Sequence, residues 1–247
     1  MPPSRSNTFF SLADCTSTGA VGRGLPDSPR HDIRHDRVAV RAGLGSAGAA
    51  WLGAATTEAG LLANASLMAE RLLPVGYDIA TVGPRWYVAQ MTTSGCRPFA
   101  PLELDAHGRP QPAANRFPSA IEGYGFAPLA AQVHRLRLRF GVHLMPGVPR
   151  QAVGQGLPIA GSPWRCDEIA NPDSTCAGNT DMCGVNPDHP GAFDWYRAWL
   201  VQLAACGVDA VTVDDIASPD ENAGEIALIR RAIDAIGRRI VLISSET

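Results

Sequence analysis

The sequence predicts an α/β protein built on a parallel sheet, and three observations carry that prediction. Stretches with apolar residues at helical spacing alternate with short β-branched runs, the pattern of repeated βα units. The β-branched run over 208–213, which stops on two adjacent carboxylates, reads as a strand covered on both faces that needs no polar alternation. The longest irregular stretches follow strands, which gathers them at one end of the sheet, where loops build binding sites.

The elements follow in order. Residues 1–36, rich in Ser, Pro, Gly, Asp and Arg without sustained period, read as a disordered lead to a single (β/α) domain over 37–247. Val38-Ala-Val40 starts a first strand, and the Gly/Ala-rich stretch 42–55 specifies little. Thr57-Glu58 opens a helix whose apolar face is Leu61, Ala65, Met68 and Leu72, and Pro74 and Gly76 end it. Tyr77 to Val82 is the second strand, running into Gly83-Pro-Arg-Trp-Tyr87 and a long irregular excursion. Phe126, Leu129, Val133 and Leu136 mark a helix leading into the strand Phe140-Gly-Val-His-Leu-Met145. Residues 146–190 form a second long loop region, dense in Pro, Gly, Asn and Asp. A helix over 193–205, a strand over 208–213, a helix lined by Ile226, Ile229, Ile233 and Ile236, and a strand over 239–243 complete the pattern. That is about five strands, where a closed (β/α)8 barrel has eight.

Composition narrows the function classes. With 247 residues, 45% of them apolar, and a net charge of −3, the chain has room for one sizeable core. No run approaches the ~20 apolar residues of a membrane span, and no basic stripe points to nucleic acid. The N-terminus lacks the apolar core of a secretory signal, and the compartment stays open. All 21 basic residues are Arg, which excludes Schiff-base and Walker-type lysine chemistry. The six cysteines have no C-x-x-C spacing, so neither a zinc site nor another metal or cofactor is expected.

The sharpest chemical signal is Val213-Asp-Asp-Ile216, where a buried strand stops on two carboxylates. At the carboxyl end of a barrel strand such residues are mounted for catalysis. The competing reading is that Asp215 caps the following loop and Asp214 pairs with an Arg.

Six segments in one order suggest a family: Ala113-Ala-Asn-Arg-Phe-Pro-Ser-Ala120, Gly125-Phe-Ala-Pro-Leu-Ala130, Phe140-Gly-Val-His143, Gly147-Val-Pro-Arg-Gln-Ala-Val153, Asn179-Thr-Asp-Met182 and Val213-Asp-Asp-Ile216. Together they resemble the α-galactosidase (melibiase-type) enzymes of glycoside hydrolase family 27 over roughly residues 40–245. The resemblance implies a (β/α)8 TIM barrel, incomplete here, with the last strands and a C-terminal β-sandwich absent. It implies hydrolysis of terminal α-galactosides with retention, and Asp214 as the nucleophile. A retaining enzyme needs an ionised carboxylate beneath the anomeric carbon and a second carboxyl ~5–5.5 Å away as acid and base. Trp86, His143 and Asp181 are then candidate sugar contacts, and Asp215 a residue that orients Asp214.

The departures from the family pattern are as specific. Gly43-Leu-Gly-Ser-Ala-Gly48 stands where the family has a Trp/Asp motif, Gly83-Pro-Arg-Trp86 keeps the Trp without its preceding Asp, Pro146 replaces a basic residue, Gly178 a Trp, and Thr212 a Lys. The acid/base Asp is expected beyond Thr247. An alternative function is therefore a non-catalytic carbohydrate-binding protein or degenerate pseudoenzyme, with Trp86 as stacking ring and His143 and Asp181 as polar contacts. A third has Asp214 and Asp215 as metal ligands, for which no partner His/Asp cluster is visible.

Structural roles compete at each candidate: a packed ring for Trp86, a satisfied core histidine for His143, a turn-stabilising carboxylate for Asp181. Arg150 is expected to pair with an acidic neighbour, and Cys176 to lack a disulfide partner. A five-strand sheet also leaves edges and apolar surface that favour self-association.

Overall fold

The computed structural model describes residues 55–91, 98–175, 179–214, 216 and 219–244. The expected lead over 1–36, the strand at Val38–Val40, the 43–48 stretch, Asp215, Cys176 and Gly178 lie outside them. Four parallel strands form the main sheet in the order β1 (Ile79–Val82), β2 (Arg139–Leu144), β6 (Ala210–Val213) and β7 (Val241–Ser244). Helices α1 (Glu58–Arg71), α2 (Ala127–Arg135), α5 (Pro190–Ala205) and α6 (Pro219–Ala235) alternate with them. This is a segment of an α/β barrel, four strands of which fall among the described residues.

Each expected helix has a local cause. Thr57 caps α1, its Oγ1 accepting from Gly60 N at 3.2 Å; of the predicted face Leu61, Ala65 and Met68 are buried, while Leu72, at the helix end, is exposed. Leu129, Ala130 and Val133 bury α2 against β2. Trp195 and Trp199 fill the inner side of α5, both with no exposed surface.

Strand alternation splits the sheet into two faces. Ala80, Val82, Phe140, Val142, Leu144, Val211 and Val213 join the helices in one large core. Ile79 and Ala210 form a separate small cluster with Val241 and Ile243 on the opposite face. By register that second face also carries Thr81, Gly141, His143 and Thr212, and in a barrel it is the inside.

The region 146–190 departs from the expected loop. It contains β3 (Val148–Pro149), β4 (Ala170–Asn171) and β5 (Met182–Val185), paired antiparallel as β3-β5-β4, with short helices α3 (Arg150–Gln155) and α4 (Cys166–Ile169). Strands of two to four residues are too short to show any period, which is why the sequence reads as loop.

At the amino end of the main sheet, Asp209 accepts from Phe140 N (2.9 Å), His134 Nε2 (2.7 Å) and Arg238 Nη2 (2.6 Å). Burial opposes its charge, but the bonds from Phe140, His134 and Arg238 prevail and hold its carboxyl below the ordinary value. Its stabilising effect is therefore present above the unfolded value of 3.8 and is lost as pH falls through the lowered one.

Candidate active site at the carboxyl end of the sheet

Asp214 is the first residue after β6, and its backbone N donates to Leu144 O at 3.1 Å, which extends the strand pairing to the carboxylate itself. His143 comes from the adjacent strand, and its Nε2 lies 3.2 Å from Asp214 Oδ2. The two side chains are 13% and 19% exposed, so the pair is dry on most sides yet open to a ligand. The contact is an ion pair whenever His143 carries its second proton. Behind the pair, Thr81 Oγ1, Thr212 Oγ1 and His143 Nδ1 are buried with no hydrogen-bond partner among the described residues. All three belong to the inward face, which is thus polar near Asp214 and apolar farther down.

Two sequence candidates lie in the interior. Trp86 is fully buried, its ring edge-on to Tyr87 (5.2 Å) and Phe126 (5.0 Å), and its Nε1 donates to His143 O at 2.8 Å. No face remains for a sugar; the ring packs behind His143 because an indole in a core needs only one acceptor. The Asp181 side chain likewise has no exposed surface. Arg85 holds it through two bonds of 2.7 and 2.8 Å, and Tyr87 Oη donates to it at 3.3 Å. The turn is stabilised instead by Asn179, whose Oδ1 accepts from Asp181 N at 2.7 Å. Burial first, and then Asp181, drive the Tyr87 phenol well above its ordinary pKa. Arg150, expected to pair with an acid, lies over the Phe99 ring at 5.9 Å, and its Nε has no hydrogen-bond partner among the described residues.

Arg116 fixes the loop after β1. Buried in the interior, it donates through Nε and Nη2 to Thr56 O (3.2 and 2.7 Å) and through Nη1 to Arg85 O (2.8 Å) and Val88 O (2.9 Å). The sequence offered only its place in the Asn-Arg-Phe-Pro segment, which said nothing of these partners.

A second anchor holds the loop after β2. Gly147 N donates to Tyr196 Oη at 2.8 Å and Trp195 Nε1 donates to Gly147 O at 3.1 Å, while Tyr196 Oη donates to Glu225 of α6. Gly147 has φ +98, and a Cβ there would collide with the carbonyl oxygen of Cys183. Gly147→Ala is expected to cost about 3 kcal/mol or more by urea denaturation, through backbone strain and that collision. A loss below about 1 kcal/mol would show that the β2–β5 approach is not rigid.

Burial raises the Glu225 carboxyl above 4.5, against the bonds from Tyr196 and Gly147 that lower it. Its contribution to stability is therefore complete below the unfolded value of 4.5 and is lost as pH rises through the raised folded value. Glu225→Gln is expected to flatten the Tm–pH curve above pH 4.5 and leave the acid limb set by Asp209 unchanged. An unchanged slope above pH 4.5 contradicts this assignment.

Cys166 and Cys183 are buried free thiols, Cys206 is buried as well, and burial pushes Cys166 up to about 12. Among the described residues no group of three or more His, Cys, Asp or Glu side chains is arranged to hold a metal ion. No described helix is long and apolar enough to cross a membrane.

Comparison with known proteins places this geometry. No family model matches the chain. A β-L-arabinopyranosidase of glycoside hydrolase family 27 from Geobacillus stearothermophilus superposes with a TM-score of 0.75 at 45% identity, over 78% of this chain and 45% of its own. A variant of that enzyme has been solved with arabinose. A Bacillus halodurans C-125 protein, proposed to be an α-N-acetylgalactosaminidase, matches with a TM-score of 0.73 and 45% identity over 77% of this chain and 46% of its own. Alpha-galactosidase 3 of Hypocrea jecorina is 28% identical over 178 residues, 68% of this chain and 24% of that protein. The chain spans less than half the length of each of these three proteins.

Proposed function

We propose that this chain, which belongs to glycoside hydrolase family 27, carries in Asp214 the nucleophile of a retaining glycosidase acting on terminal α-galactosides and their ring analogues. The observation that carries the reading is Asp214 at the end of β6 with His143 Nε2 3.2 Å from its Oδ2. Its Oδ1 or Oδ2 attacks the anomeric carbon, the C1–O bond to the leaving group breaks, and that oxygen takes a proton from a separate acid. Water then cleaves the glycosyl ester, which restores the original anomeric configuration. The sheet fixes the carboxylate, so little reorganisation accompanies attack.

The relatives' substrates fit one ring shape. α-D-Galactosides and β-L-arabinopyranosides share their configuration from C1 to C4 and differ in the hydroxymethyl group on C5. Replacement of the family's Lys by Thr212 and of its strand-end Asp by Arg85 removes polar contacts to the glycone, and the expected signature is weak glycone affinity. A purely sugar-binding role leans on Trp86 and Asp181, and both are occupied in the interior. The test is the stereochemistry of aryl α-galactoside hydrolysis followed by proton NMR. α-Galactose is expected as the first product; β-galactose appearing first rejects the reading.

A further inference from the structure

Phe99 is the most exposed large hydrophobic residue among those described, at 70%. Its φ is +57, a left-handed conformation that costs a bulky residue free energy and persists only where the surroundings impose it. Its backbone N donates to Thr180 Oγ1 at 2.8 Å. Three residues on, Leu102 is gripped from both sides by Gln151, which accepts from Leu102 N at 3.2 Å and donates to Leu102 O at 3.3 Å. Glu103 N then donates to Tyr87 O at 2.8 Å. Arg150 stands over the Phe99 ring, its Cζ 5.9 Å from the centroid.

The ring belongs to the same end of the sheet as Asp214. Arg150 N donates to Asp181 O at 2.8 Å, Asp181 is bound by Arg85, and the next residue, Trp86, donates to His143, which contacts Asp214. Backbone strain thus holds an aromatic ring in water beside a guanidinium, at the end of the sheet that carries the proposed nucleophile. A flat apolar face suits a pyranose, whose axial C–H groups pack on an aromatic ring.

We propose that Phe99 is a carbohydrate-stacking platform for a second pyranose ring, on the leaving-group side of the bond cleaved at Asp214, with Arg150 positioning the ring. This rests on the reading of Asp214 as the nucleophile. The open face of Phe99 takes the sugar and the guanidinium supports the other.

The test is calorimetric titration of the full chain with an α-galactosyl disaccharide and with galactose alone, for the unmodified protein, Phe99→Ala and Phe99→Trp. The unmodified chain is expected to bind the disaccharide about tenfold more tightly than galactose, Phe99→Ala to lose that preference with galactose affinity unchanged, and Phe99→Trp to keep it. Equal affinities in the unmodified chain, or a preference that survives Phe99→Ala, overturns the platform, as does absence of binding by either sugar. Covalent labelling of Asp214 in the same samples separates the two ideas. A Phe99-dependent preference without labelling supports the platform and faults only the nucleophile, whereas labelling without that preference faults only the platform. A circular-dichroism melt of Phe99→Ala matching the unmodified chain confirms that the variant is folded.

Discussion

Arg116→Met is expected to destabilise the protein by about 3–5 kcal/mol, enough to leave much of it unfolded at physiological temperature. The side chain is 6% exposed and satisfies the carbonyls of Thr56, Arg85 and Val88 at once. Methionine fills the same space and donates nothing, so the carbonyls of Thr56 and Val88 lose these bonds, at about 1–3 kcal/mol each, while Arg85 O keeps the one from Val88 N. The charge itself carries a penalty, since burial pushes the guanidinium down to about 10, but it stays protonated at neutral pH. Lysine does not substitute, because a single ammonium does not span three carbonyls that a planar fork reaches. Chemical denaturation checks the magnitude, and a change below 1 kcal/mol for Arg116→Met would remove this residue from its proposed place as hub of the β1 loop. Arg116→Lys is expected to recover less than half of the loss.

The largest catalytic effect belongs to Asp214. Asp214→Gly is expected to lower kcat on an aryl α-galactoside by about 10³-fold or more, because it removes the atom that forms the glycosyl ester. Azide added to this variant enters the space the carboxylate leaves and attacks C1 from the same side. The aryl oxide departs, and the product is β-galactosyl azide, inverted relative to substrate. Rescue by azide with that product separates a lost nucleophile from a distorted fold. Rescue with α-galactosyl azide, or activity retained without azide, contradicts the assignment. His143→Ala is expected to weaken catalysis less, since Asp214 remains in place at the end of β6.

Much of this architecture was legible in the chain because its periodic signals are local. The α1 face at Leu61, Ala65 and Met68, the strand 79–82 and the run Ala210–Val213 each announce themselves within a dozen residues. The position of Asp214 was equally legible, since a buried parallel strand ends where its polar residues begin. What the sequence concealed was pairing across distance. Asp181 and Arg85 are 96 positions apart, and neither has a pattern that names the other. Asp181 therefore looked like a free polar group in a turn, and Trp86 like a ring at the barrel mouth. The fold closes both into the interior, because a buried carboxylate must find a cation and an indole N–H an acceptor. Glu225 and Tyr196 were invisible for the same reason: their contact joins two helices whose apolar faces said only that both were buried. The small β3-β5-β4 sheet was hidden by brevity alone.

The central claim, that Asp214 is the nucleophile, is tested most directly by covalent trapping. A 2-deoxy-2,2-difluoro-α-galactoside with a picrate leaving group needs no acid assistance, and its fluorines slow hydrolysis of the ester more than they slow its formation. Incubation with the 247-residue chain followed by peptide mass spectrometry is predicted to add one difluorogalactosyl group, located on Asp214. An unlabelled chain, or a label on any other carboxylate, contradicts the account.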